Sequence, residues 1–139
     1  MKIAVIDAQG AGLGQTIVKK LRKELIDKEL QIIALGTNTL ATSNMVRAGA
    51  NVGLSGERAI CTFLRTNEIN GIVCPIGVLF NGGINGEVTS MISNSIFQTA
   101  CTKYILPLQK HNIYIPGTRE LQIKDIIDEI VLDIKNKTL

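Results

Sequence analysis

Aromatic side chains are scarce in this chain of 139 residues: they make up 4% of it, and tryptophan is absent. A basic stretch without aromatics offers no platform on which bases stack. The formal net charge of +3, from 15 basic and 12 acidic residues, is too small to point to a nucleic-acid partner. Lys19, Lys20, Arg22, Lys23 and Lys28 crowd the first helical segment, while Asp125, Asp128, Glu129 and Asp133 crowd the last. Both read as solvated helix faces. His111 is the one histidine. It falls in a turn segment without a placed partner, so no Ser–His–acid or Cys–His constellation can be built and the catalytic residues stay unknown. Cys61, Cys74 and Cys101 lie far apart, with no CxxC and no Cys/His cluster, so no metal site is expected. They read as reduced, buried thiols of a cytoplasmic protein. No apolar run approaches the roughly 20 residues of a membrane span, and the start of the chain fits a core strand rather than a signal peptide.

What the chain has instead is isoleucine, leucine and valine, the residues of buried parallel strands. Its length suits one domain over residues 1–139, large enough to hide roughly two thirds of its unfolded surface. Apolar strands are expected at 3–6, 31–35, 51–52, 71–76 and 103–108. Helical periodicity is expected at about 13–28, from Thr37–Thr39 to 48, from Ser55 past Leu64, from about Glu87 to Ile96, and over 123–135. Strands alternating with helices predict a three-layer, Rossmann-like, doubly wound α/β fold with a mostly parallel sheet of order 3-2-1-4-5. The QKHN connection before Ile113–Ile115 is too short for a parallel crossover, so a sixth, antiparallel edge strand is expected there.

In that order the first and fourth strands are neighbours whose chains leave in opposite directions, and ligands bind in the crevice between their C-terminal ends. Two glycine-rich loops flank it. The first, with Gly10, Gly12 and Gly14, joins a strand ending at Asp7 to a helix opening near Leu13. Glycines let a ligand approach the backbone, and the first helical N–H groups point at it. The second loop, Gly77–Gly86, carries Asn81 and Asn85. Asp7 serves either a metal or ribose or, more simply, the turn itself. Thr37 and Asn38 end the second strand, where dinucleotide-binding domains carry an acid for the ribose. No acid stands there, so a typical NAD site is disfavoured, though Asn38 suits a ribose or a 2′-phosphate.

The run GLGQTIVKKL resembles the glycine-rich helix start of short-chain dehydrogenases, which implies phosphate contact at Gly12, Leu13 and Gly14. That family's Tyr-x-x-x-Lys pair has no counterpart, since neither Tyr104 nor Tyr114 is followed by a lysine at that spacing. GAGLGQT also resembles the deviant phosphate loop of partition-type ATPases, with Gln15 where the catalytic lysine belongs and Gly10 where the signature lysine belongs. Thr16 there keeps the position of a metal-holding hydroxyl. VIDAQGAGLG, IIALGTNTLATSNMVRAGAN and ILPLQKHNIYIPG together are similar to a family of short bacterial proteins classed only as a domain of unknown function. That resemblance implies a Rossmann-like fold and no activity.

The residues therefore predict a nucleotide, dinucleotide or phosphorylated metabolite bound by Asp7, Gln9, Gly10, Gly12, Leu13, Gly14, Gln15, Thr16, Thr37, Asn38, Asn81 and Asn85. Its identity is left unknown, with NADP or another nucleotide as the candidates. The protein is expected to act as a sensor or subunit, to form a homo-oligomer, and to have no nucleic-acid or membrane partner. Two alternatives stay open: an enzyme on the same fold (a degenerate P-loop NTPase or an NAD(P)-linked enzyme), or a structural oligomer without a ligand.

Overall fold

The computed structural model describes residues 1–26, 29–108 and 112–137. Its five strands are β1 (Lys2–Asp7), β2 (Gln31–Gly36), β3 (Val52–Ser55), β4 (Gly71–Pro75) and β5 (Thr102–Leu106). The helices are α1 (Gly12–Glu24), α2 (Thr39–Ala48), α3 (Glu57–Thr66), α4 (Ser90–Gln98) and α5 (Ile123–Lys137), with a single 3-10 turn at Ile76–Leu79. The strands form one sheet of order β3-β2-β1-β4-β5. Every pairing is parallel: Ile3 stands opposite Ile32 on one side and Gly71 on the other, Ile33 opposite Val52, and Val73 opposite Tyr104.

The twofold period of each strand sorts the core into two layers. Ile3 and Val5 pack with Ile17, Leu21, Met45, Ile130 and Ile134, so α1, α2 and α5 cover one face. Ala4 and Ile6 pack with Ile60, Leu64, Ile92 and Ile96, so α3 and α4 cover the other. Each fully buried large aliphatic side chain contributes about 1.5–3 kcal/mol relative to exposure. Burial on both faces explains why β1, β2 and β4 read as continuous apolar runs rather than alternating ones.

Four local expectations change. Among the described residues no sixth strand pairs with β5, and all five strands are parallel. The chain leaves the strand direction at once, because the Leu108 N–H closes a tight turn onto the Leu106 carbonyl at 2.9 Å. Farther on, the Ile115 carbonyl accepts both the N–H and the hydroxyl of Thr118 instead of a ladder bond. Most of the QKHN connection, including His111, lies outside the described residues, as does Lys28, the expected end of the first helix; α1 already stops at Glu24, where Leu25 is its C-cap and gives its N–H to the Leu21 carbonyl. Ser55 ends β3 and gives its hydroxyl to Thr42 at 2.7 Å, leaving Gly56, at φ 91°, as the α3 cap. The fourth helix opens at Ser90, where the Thr89 hydroxyl accepts the Ile92 N–H. Glu87 is thereby left on the preceding loop.

Candidate functional site

β1 runs out at Asp7, whose carboxylate turns back across the glycine loop. Oδ1 accepts the Ala8 N–H and Oδ2 the Gly14 N–H, both at 2.8 Å. Asp7 is 6% exposed and so acts as a buried cap on the third N–H of α1. The Gln15 N–H bonds the Ala11 carbonyl. Among the described residues the N–H groups of Gly12 and Leu13 make no hydrogen bond, and they stand at the positive end of the helix.

The conformation of this loop separates its glycines by role. The left-handed positions belong to Gln9 (φ 51°) and Ala11 (φ 53°), not to a glycine. A Cβ on Gly14 would lie 2.6 Å from Met45 Sδ and 3.1 Å from Asp7 Oδ2, so that glycine serves the close packing of α1 against α2 and the end of β1. A Cβ on Gly10 or Gly12 would meet nothing within 4 Å, and neither residue has a left-handed φ. Both face a cleft of about 330 Å³ lined by Asp7–Leu13, Pro75–Gly77, Ile84, Asn85 and Leu108.

Gln15 and Thr16 turn back into the loop. Gln15 Nε2 donates to the Gly10 carbonyl at 3.1 Å, and Thr16 Oγ1 to the Gly12 carbonyl at 3.1 Å. Asn44 on α2 gives a second amide to the Gly10 carbonyl at 2.9 Å. The polar ends of Gln15 and Thr16 are thus spent on orienting the loop.

The second glycine loop closes on itself through Gly82 N–H to the Val88 carbonyl and Val88 N–H to the Gly83 carbonyl. Ile84 holds φ 51° and Asn85 φ 56°, and both line the cleft. A β-branched residue in this region is an outlier that surrounding structure must enforce. Asn81 is exposed and stands apart from the cleft lining.

Thr37 and Asn38 also stand apart from it. Asn38 caps α2 by accepting the Ala41 N–H at 2.8 Å, and its Nδ2 donates to the Gln9 carbonyl at 3.0 Å. Their shared partner is Glu87, which sequence reasoning missed. Its Oε1 accepts the Gln9 N–H at 3.0 Å, the Thr37 hydroxyl at 2.7 Å and the Asn38 amide at 2.9 Å. Partial burial pushes the Glu87 carboxyl up, but these three donors outweigh it and hold the group below its ordinary value. A 2′-phosphate at Asn38 would meet this carboxylate, so the NADP candidate is not supported. Sequence offered no periodic signal for Glu87, because its partners lie 49, 50 and 78 residues away. Ile84, Leu108 and the Pro75–Gly77 turn were likewise missed as apolar lining.

Among the described residues no group of three or more His, Cys, Asp or Glu side chains could hold a metal ion, and no helix is long and apolar enough to cross a membrane. Cys74 on β4 has its thiol pushed far up by burial, with the Asp7 charge adding to the shift.

The sequence profile described as "Domain of unknown function (DUF3842)" matches residues 2–139. No curated protein is detectably similar. Among solved structures, the crystal structure of a dodecameric FMN-dependent UbiX-like decarboxylase from Escherichia coli O157:H7 superposes with a TM-score of 0.54. It is 12% identical in sequence, and the match covers 99% of this chain and 94% of that one. At that identity the likeness speaks for the α/β fold.

Proposed function

Because the chain belongs to the DUF3842 family, a family of unknown function, we propose its role from the site itself: it binds a nucleotide or other phosphorylated small molecule in the crevice between the β1 and β4 loops. One observation carries the reading. Gly10 and Gly12 have neither a conformational nor a packing reason to be glycine, yet both face the cleft beside the free N–H groups of Gly12 and Leu13. Close approach of a ligand to the backbone supplies the missing reason. Asp7 already satisfies the Gly14 N–H, so the anion sits one step out, on Gly12 and Leu13. Pro75, Ile76, Ile84 and Leu108 offer apolar surface to the rest of the ligand. Asn85 and Gln9 supply polar contacts at the mouth, while Gln15, Thr16, Thr37 and Asn38 act by holding the loops.

Binding is favoured over catalysis because, among the described residues, Asp7 is the only ionisable side chain in the lining, and its carboxylate already accepts two backbone N–H groups. We read residues 1–139 as one such domain in the cytoplasm, serving as a sensor or subunit. The FMN of the structural neighbour supports a nucleotide-like ligand, and its dodecameric state supports association of copies.

A thermal-shift screen tests the reading, since a ligand that binds only the folded chain raises its melting temperature. A rise with at least one phosphorylated compound that its dephosphorylated form does not reproduce is expected. No rise with any nucleotide, phosphate or sulfate would leave the structural-oligomer alternative.

A further inference from the structure

We infer that Glu87 closes the β2 side of the crevice to a second nucleoside and so makes the cleft a site for mononucleotides rather than dinucleotides. The inference rests on the phosphate-site reading above. In this strand order a dinucleotide spans the switch point, and its far ribose lies over the end of β2. In this chain that place is filled from within. Glu87 Oε1 takes the Gln9 N–H, the Thr37 hydroxyl and the Asn38 amide, and Asn38 Nδ2 also reaches the Gln9 carbonyl. The β1 loop, the end of β2 and the β4–α4 loop are thus tied together where the second ribose would lie.

The open space lies on the other side. Its lining comes from the β1 loop, the Pro75–Gly77 turn, Ile84, Asn85 and Leu108, and none of Thr37, Asn38 and Glu87 contributes. At about 330 Å³ the cleft stands at the small end of the roughly 300–1,000 Å³ of small-molecule sites. Charge works in the same direction. The Gly12 and Leu13 N–H groups offer one anion site, whereas a second phosphate placed toward β2 would approach the Glu87 carboxylate. The ligand class that fits is one phosphate on the α1 N-terminus and one ring over the apolar wall, with nothing beyond the phosphate.

The test is titration of the full chain with two matched pairs, FMN against FAD and nicotinamide mononucleotide against NAD. Each pair shares a ring and a phosphate and differs by the added adenylate. For at least one pair the mononucleotide should bind the wild type tenfold or more tightly than its dinucleotide. Glu87→Ala should narrow that ratio by tenfold or more through a gain in dinucleotide affinity. Glu87→Gln, whose carbonyl oxygen still accepts the three donors, should keep most of it. Wild-type binding of a dinucleotide as tightly as its mononucleotide would overturn the inference and leave the phosphate site standing. A Glu87→Ala protein that loses dinucleotide affinity would also overturn it, marking Glu87 as a ribose ligand. Failure of all four probes to bind would overturn this inference, while the phosphate-site reading would still stand or fall on the wider thermal-shift screen. The wild-type ratio needs no variant, so misfolding of Glu87→Ala would not blunt the test.

Discussion

The carboxylate of Glu87 and the hydroxyl of Thr37 meet at 2.7 Å although 50 residues of chain separate them. This bond joins the loop after β4 to the end of β2, and with the Gln9 N–H it fixes the mouth of the crevice. The stability it lends depends on pH with a definite sign. The folded carboxyl is held below its ordinary value, so its contribution is full above the unfolded value of about 4.3 and is lost as pH falls through the lower folded value. Glutamine at this position does not titrate. The wild type should therefore melt above Glu87→Gln by a constant margin between about pH 5 and pH 8, and the margin should close below about pH 4. Melting curves across pH check this, and a margin unchanged in acid would contradict it.

The glycines of the first loop should respond in opposite ways to alanine. At Gly14 the added methyl meets Met45 Sδ and the Asp7 side chain, so Gly14→Ala should cost about 1–3 kcal/mol. At Gly12 the methyl enters open space at the first helical position with ordinary φ, and Gly12→Ala should stabilise by about 0.4–1 kcal/mol. Urea denaturation of both variants measures the difference. Equal losses at the two sites would mean that Gly12 is a structural glycine.

Asp7→Asn should destabilise the fold by about 1–3 kcal/mol. The carboxylate accepts one N–H on each oxygen, whereas an amide offers one acceptor and turns a donor toward the other N–H. Equilibrium unfolding gives the magnitude, and a neutral result would remove Asp7 as the cap of α1.

Thiol chemistry should be silent in the folded chain at Cys74. Its thiol is buried and pushed far from the thiolate form. Cys101 is half buried, and burial raises its thiol too, but it remains the most accessible of the three. A disulfide-exchange reagent followed by peptide mass spectrometry should find Cys101 labelled first and Cys74 labelled only after unfolding.

The strand order was readable because the information is local and periodic. Ile3–Ile6 and Gly71–Val73 are continuous apolar runs, and helical spacing at Ile17, Leu21, Ile60 and Leu64 dictates which elements cover them. The glycine loop was readable for the same reason. The division of labour within it was not, since Gly14 is decided by Met45, which stands 31 positions on in the chain. Glu87 stayed hidden because a lone acid on a loop has no pattern, and its partners come from the loops that follow β1 and β2. The expected edge hairpin rested on the short QKHN connection and the brief apolar run Ile113–Ile115, and the turns at Leu106–Leu108 and Ile115–Thr118 use backbone groups that a ladder would need.

The central claim is that a phosphorylated ligand sits against Gly10–Leu13, and calorimetric titration of wild type and Gly12→Val tests it most directly. The probe is whichever nucleotide raises the melting temperature most. A Cβ at this position meets nothing within 4 Å and enters the cleft, so the valine variant should melt close to wild type. The account predicts an affinity loss of about a hundredfold or more, corresponding to about 3 kcal/mol of lost anion contact. Equal affinity of the two proteins for that nucleotide would contradict it.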